Sequence, residues 1–198
     1  MSIDAIYNRR SIRKFLKKDV SIDIIQQLID SGRVAPSAKN RQPWKYIVFG
    51  NEHKQELLQN METGIFREEN NQSFLPNSTS GISDAKNTLR IMKEAPIIIM
   101  VINTNGKSPF CEINADDRIT EICDTLSIGA SIENILLKAT ELELGTLWIA
   151  NTCFAYSELT NYLNIINQLV GAIAVGYPDE QPLPRPRKAI EDIIEYRI

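Results

Sequence analysis

Apolar residues fall along this chain in two patterns, short continuous runs and long stretches repeating every three or four positions. "APIIIMVI" (Ala95 to Ile102) and "LVGAIAVGY" (Leu169 to Tyr177) are runs of eight and nine residues. That length and the β-branched content suit strands buried on both faces. "WKYIVFG" (Trp44 to Gly50) and "TLWIA" (Thr146 to Ala150) read as further strands, the first preceded by Pro43, which cannot donate to a ladder. Helical spacing appears after Ser21, a suitable N-cap, at Ile22, Ile25, Leu28, Ile29 and Val34, with Ser31-Gly32 marking fraying near the end. Ser2 can cap a shorter helix to about Asn8, and residues 51–61 and "AKNTLRIMKE" predict two more.

The longest periodic stretch runs from Ala115 to Leu142, with Ile119, Ile122, Leu126, Ile132, Ile135, Leu136, Ala139 and Leu142 three or four residues apart. Ile128, Ala130 and Leu137 add apolar surface on other sides, so this helix is expected to be buried centrally or against a second subunit. Gly145 is expected to stop it. "REENNQSFLPNSTSGISD" (67–84) is polar enough to predict a long flexible loop or a lid over a site. The tail "PDEQPLPRPRKAIEDIIEYRI" begins extended, because Pro182, Pro184 and Pro186 fall within five residues. Strands and helices interleave irregularly and no internal repeat is present. The class that follows is α+β, one domain over residues 1–198, with a sheet covered by helices.

Composition narrows the function by exclusion. The 25 acidic residues exceed the 22 basic ones, a net charge of −3, which argues against nucleic acid as partner. No apolar stretch reaches the roughly 18–20 residues of a membrane helix. "MSIDAIYN" lacks the basic-then-apolar pattern of a signal peptide, and Cys111, Cys123 and Cys153 form neither a C-x-x-C nor an even set. A cytoplasmic protein is expected, with its cysteines acting as small apolar groups. His53 is the only histidine and sits in an exposed helical context, so triad hydrolysis and histidine-rich metal sites are poor readings. An enzyme with this inventory would borrow its chemistry from a cofactor.

Against the acidic balance, "NRRSIRKF" gathers Arg9, Arg10, Arg13 and Lys14 around Ser11. Forked guanidiniums and a hydroxyl suit a phosphate, although such a cluster is more often a solvated face. "PLPRPRK" carries Arg185, Arg187 and Lys188 on a stiff segment. It could meet the first cluster on one phosphate or serve as a proline-rich docking peptide. "APSAKNRQPW" (Ala35 to Trp44) offers uncharged donors and acceptors, and "LGTLWIAN" (Leu144 to Asn151) ends in small and amide residues that let backbone approach a ligand.

The ordered set of "RRSIRKF", "PSAKNRQPW", "LGTLWI" and "VGYPDE…PRPRK" resembles the FMN-dependent nitroreductase family over essentially the whole chain. The resemblance implies a homodimer whose central, mainly antiparallel sheet is covered by helices, with a C-terminal extension embracing the partner and FMN at the interface. It implies FMN contacts from Arg9, Arg10, Ser11 and Arg13, with Arg185 and Arg187 closing on the phosphate from the other end. Pro36, Ser37, Ala38 and Asn40 match the segment that the partner lays against the flavin ring. Asn87 and Arg90, placed by their spacing before the strand at 96–102, match polar contacts to the ring, with Arg90 at its N1–O2 edge. Ala150 and Asn151 stand where many relatives carry a glycine-containing pair facing the flavin. No side chain need act as acid or base: NADH or NADPH would donate a hydride through flavin N5 to a nitroaromatic, quinone or similar acceptor. Other flavin chemistry on the same fold, including dehalogenation and flavin breakdown, and flavin binding with little turnover are the alternatives.

Overall fold

The computed structural model describes residues 4–70 and 73–198. Strands β1 (Trp44–Gly50), β2 (Ile97–Asn103), β3 (Gly145–Ile149) and β4 (Gln168–Gly176) form one sheet ordered β1-β2-β4-β3, every neighbouring pair antiparallel. Around it lie α1 (Asp4–Asn8), α2 (Ile22–Arg33), α3 (Lys54–Glu69), α4 (Ile82–Glu94), α5 (Ala115–Glu141) and α6 (Tyr156–Tyr162). The α+β class expected from the sequence is the one observed.

All seven residues of β2 are buried because helices cover both faces of the sheet. Ile98, Met100 and Ile102 pack with Leu57 and Met61 of α3 and Leu89 and Met92 of α4. Ile97, Ile99 and Val101 pack on the opposite face with Leu28 of α2 and Ile128, Ile132 and Ile135 of α5. The strand period of two thus feeds two separate cores, each such side chain contributing about 1.5–3 kcal/mol of transfer free energy. No described helix is long and apolar enough to cross a membrane.

Several local expectations change. Ser21 caps α2 as expected, accepting from the Ile24 N–H, whereas the Ser2 cap lies outside the described residues. The helix continues through Gly32, which is packed rather than frayed: a Cβ there would meet Ile135 Cδ1 at 2.9 Å, and Ser131 Oγ donates to its carbonyl at 2.6 Å. Gly145 does not stop α5. Glu143 does so in the left-handed region (φ 60°), with the Leu144 N–H returning to Ala139 O at 2.8 Å.

The polar stretch at 67–84 is largely regular where it is described; its residues 71 and 72 lie outside that range. Residues 67–69 finish α3, 76–81 form a 3-10 turn and α4 begins at Ile82. Its organiser is the buried Glu68 carboxylate, which accepts from Arg67 Nη1 (2.6 Å), Ser73 Oγ (2.5 Å) and the Phe74 and Leu75 N–H groups (2.9 and 3.3 Å). Burial alone would raise its pKa, but these hydrogen bonds outweigh it and hold the carboxyl below its usual range.

The long helix also divides. Ile128, Ile132, Ile135 and Leu136 are buried, while Ile119 and Leu126 stand 63% and 70% exposed, with Ile122 beside them. The expected burial of its apolar surface holds within the single chain only for the C-terminal half.

Candidate functional site

The two ends of the described chain meet at the free edge of β3. The Ile12 N–H donates to Thr146 O at 2.9 Å, and Ser11 forms an isolated parallel bridge with Thr146. Further along, the Leu16 N–H donates to Tyr177 O (2.9 Å) and the Asp179 N–H to Lys14 O (3.0 Å). Extended backbone alternates its faces, so Ile12 is buried while Ser11 and Arg13 on either side of it are only partly covered; Phe15, farther along, is buried where it bridges to Pro178. Gly145 makes the approach possible, since a Cβ there would lie 2.7 Å from Ile12 Cγ1.

This arrangement opens a cavity of about 250 Å³. Arg9, Arg10, Ser11 and Arg13 line it from one chain end and Arg185 and Arg187 from the other, between walls of Ile6, Tyr7 and residues 182–184. Five guanidiniums therefore line it, with no carboxylate in the lining. Arg9 Nε also reaches Glu133 Oε1 at 3.2 Å, and Arg10 Nη1 donates to the carbonyls of Tyr7 (2.7 Å) and Arg9 (2.8 Å). Arg13 Nη1 donates to Ser11 O at 3.1 Å. A site with this donor set and sign of charge suits a phosphate monoester.

Arg13 also lines a second cavity, of about 280 Å³, between the end of β3 and one face of α4. Leu147, Trp148, Ile149 and Ile91 supply apolar wall; Asp84, Asn87, Thr88 and Asn151 supply polar edges; Ala150 completes it. Asn151 Nδ2 donates to Thr88 Oγ1 at 2.9 Å and to Asp84 Oδ2 at 3.2 Å, tying the strand end to the helix. Ala150 has φ −103° and ψ −23°, open to any L residue, so nothing in the backbone here demands glycine. A planar ring with amide-like edges fits this mixture of apolar wall and neutral donors.

The remaining expected residues lie elsewhere. Arg90 lines neither cavity. It pairs with Glu94 at 2.5 Å, donates to Asn87 Oδ1 at 3.0 Å and borders a groove between α3 and α4. Spacing alone put it with Asn87, but Asn87 stands at the margin of the arc that Asp84, Thr88 and Ile91 turn to the cavity, and Arg90 lies about 60° farther round the helix, on the side of Lys86, Leu89 and Lys93. Pro36, Ser37, Ala38 and Asn40 line neither cavity within the single chain. Their segment is shaped tightly, with Lys39, Asn40 and Gln42 all left-handed (φ 53°, 54° and 50°). Hydrogen bonds hold it there: the Ala38 N–H to Ser127 Oγ, the Gln42 N–H to Ser37 Oγ, and Arg41 to the buried Asp124 at 2.7 Å.

Sequence reading passed over Asp84, Thr88 and Trp148. Asp84, Asn87, Thr88 and Ile91 share one helical face: Asp84 and Ile91 stand three and four residues from Asn87, and Thr88 stands four from Asp84. Cys153 lines neither cavity, and burial pushes its thiol pKa up, which keeps it a neutral, unreactive group.

The Nitroreductase family model matches residues 6–177. A protein of Archaeoglobus fulgidus, provisionally named an NADH dehydrogenase/NAD(P)H nitroreductase, is 28% identical over 183 residues, 89% of this chain and 84% of the relative. A Bacillus subtilis protein provisionally named NAD(P)H nitroreductase YfhC is 25% identical over 96% of this chain and 90% of its own length. Among solved structures, a mutant of the FMN and NADPH-dependent nitroreductase NfnB from Sphigopyxis sp. strain HMH superposes with a TM-score of 0.78. The match covers 98% of this chain and 97% of that one, at 17% identity, a likeness of fold. The ordered motifs, the helix-covered antiparallel sheet and a family match spanning nearly the whole chain make this protein a member of the nitroreductase family, and so an oxidoreductase.

Proposed function

We propose that this chain takes a hydride from NADH or NADPH and delivers it to a nitroaromatic, a quinone or a similar acceptor, with FMN as resident cofactor. The observation that carries the reading is the meeting of residues 9–13 and 185–187 around one cation-lined cavity. The residues fit the cofactor in both parts. Arg9, Arg10, Ser11, Arg13, Arg185 and Arg187 would hold the phosphate; Asn87, Ala150 and Asn151, with the apolar wall from β3, would border the ring. When bound, FMN supplies two-electron chemistry at its N5 atom. Arg13 borders both cavities, so it, rather than Arg90, is the cation suited to offset negative charge on the ring side.

The working unit in this reading is a homodimer in the cytoplasm. Support comes from the apolar stripe of Ile119, Ile122 and Leu126 on α5 and from Ile190, Ile193 and Ile194 on the tail, all left exposed by the single chain. Pro36, Ser37, Ala38 and Asn40, away from their own chain's cavities, would then meet the partner's flavin, and the tail would embrace the partner. The test is the visible spectrum of the purified protein before and after anaerobic NADH and then NADPH. Flavin absorbance near ~450 nm that bleaches with either nucleotide is expected. A yellow protein that fails to bleach overturns the turnover reading, and a colourless protein that takes up no added FMN overturns the cofactor.

A further inference from the structure

The cation-lined cavity has a mechanical problem. Its two walls lie about 170 residues apart in sequence, and the tail wall contains three prolines that cannot donate hydrogen bonds. Within that wall, Arg187 Nη1 donates only to the neighbouring carbonyls of Arg185 and Pro186. Among the described residues, no hydrogen bond joins positions 181–188 to any other part of the chain. The tail wall is therefore held from whatever lies just before it.

That residue is Glu180. Its Oε1 accepts from the Arg13 N–H and, at 3.2 Å, from the Lys14 N–H. With Asp179 N–H on Lys14 O at 3.0 Å, this is the last tie between the tail and the N-terminal segment before Pro182. The same contact sets the backbone of Arg13, whose side chain lines both cavities. A carboxylate here is a poor choice if charge alone mattered, because it would repel a phosphate dianion nearby. It makes sense as an acceptor aimed at two successive backbone N–H groups, which one oxygen can bridge and which shorter side chains cannot reach.

We infer that Glu180 is the positioning residue that assembles the phosphate cavity by clasping the backbone of Arg13 and Lys14. This rests on the reading that FMN is the cofactor. Glu180 lines neither cavity and touches no reacting atom. Its contribution lies in its acceptor oxygen and the reach of its side chain, with its charge incidental or slightly adverse.

The discriminating measurement is the preference for FMN over riboflavin, which share a ring and differ by the phosphate. Dissociation constants for both are read from flavin fluorescence quenching on refolded apoprotein, for the wild type and for Glu180→Ala, Glu180→Asp and Glu180→Gln. Wild-type protein is expected to bind FMN much more tightly than riboflavin. Glu180→Ala and Glu180→Asp should each weaken FMN about tenfold to a hundredfold while leaving riboflavin nearly unchanged. Glu180→Gln keeps an acceptor oxygen at the same reach, though a weaker one, and should keep most of the preference. Should Glu180→Ala fail to fold, the contrast of Asp, which keeps charge but loses reach, with Gln, which keeps reach but loses charge, still decides. A wild-type preference retained in Glu180→Asp overturns the clasp, as do equal losses of FMN and riboflavin binding. Wild-type protein that binds neither flavin, or both equally, overturns the phosphate reading itself, a result visible before any variant is made.

Discussion

Two cavities meet at Arg13, and they are built by different means. The first draws its charge from two segments already basic in sequence, and its tail wall makes few hydrogen bonds of its own. The second has mostly neutral polar edges, taken from one face of α4 and the end of β3, and Asn151 is tied there by two hydrogen bonds. The difference follows from the range of the forces. Opposite charges attract over many ångströms, whereas a neutral hydrogen bond needs its atoms within about 3 Å and well aligned. A charged wall can therefore be anchored at one end, as at Glu180, and closed by its ligand, while an amide-lined wall must be built in advance along its whole length.

Three perturbations sharpen that contrast. The largest effect is expected from removing Arg10 and Arg187 together. Two charge-assisted contacts at about 1.5–3 kcal/mol each should cost FMN affinity roughly a hundredfold or more, leaving the chain folded. Full flavin occupancy in the double variant, judged by the ratio of flavin to protein absorbance, would contradict the phosphate assignment. On the dimer reading, Leu126→Glu is expected to act mainly on the second cavity, by removing the proposed partner. Size exclusion with light scattering should show a monomer, and flavin retention should fall less than in the arginine variant. A dimer that survives this change places the interface elsewhere. Arg90→Ala should do least. Its exposed i,i+4 pair with Glu94 is worth about 0.3–0.5 kcal/mol, and flavin affinity should stay within about twofold of wild type. A larger loss would return Arg90 to the ring.

Pattern alone determined a good deal of this protein. The apolar runs at 95–102 and 169–177 read as strands covered on both faces, and they are, because each alternate residue meets its own core. The cation clusters were legible because like charges crowded in an otherwise acidic chain stand out, although only their meeting in the fold separates an anion site from a solvated face. Local signals with a local cause were also readable, such as Ser21 at the start of α2.

What escaped the sequence was decided by contacts between distant residues. Gly145 looked like a helix stop, yet it is small to admit Ile12, and the stop fell to Glu143. The polar stretch at 67–84 looked unstructured because its organising hydrogen bonds converge on one buried carboxylate, a role that composition cannot reveal. Arg90 and Asn87 looked equivalent until the packing of α4 against the sheet chose which face met the cavity. Periodicity reports that a helix has an apolar face, and clustered cations that a ligand would be anionic. Only the tertiary fold decides which apolar positions find a partner within the chain, and which polar ones meet across it.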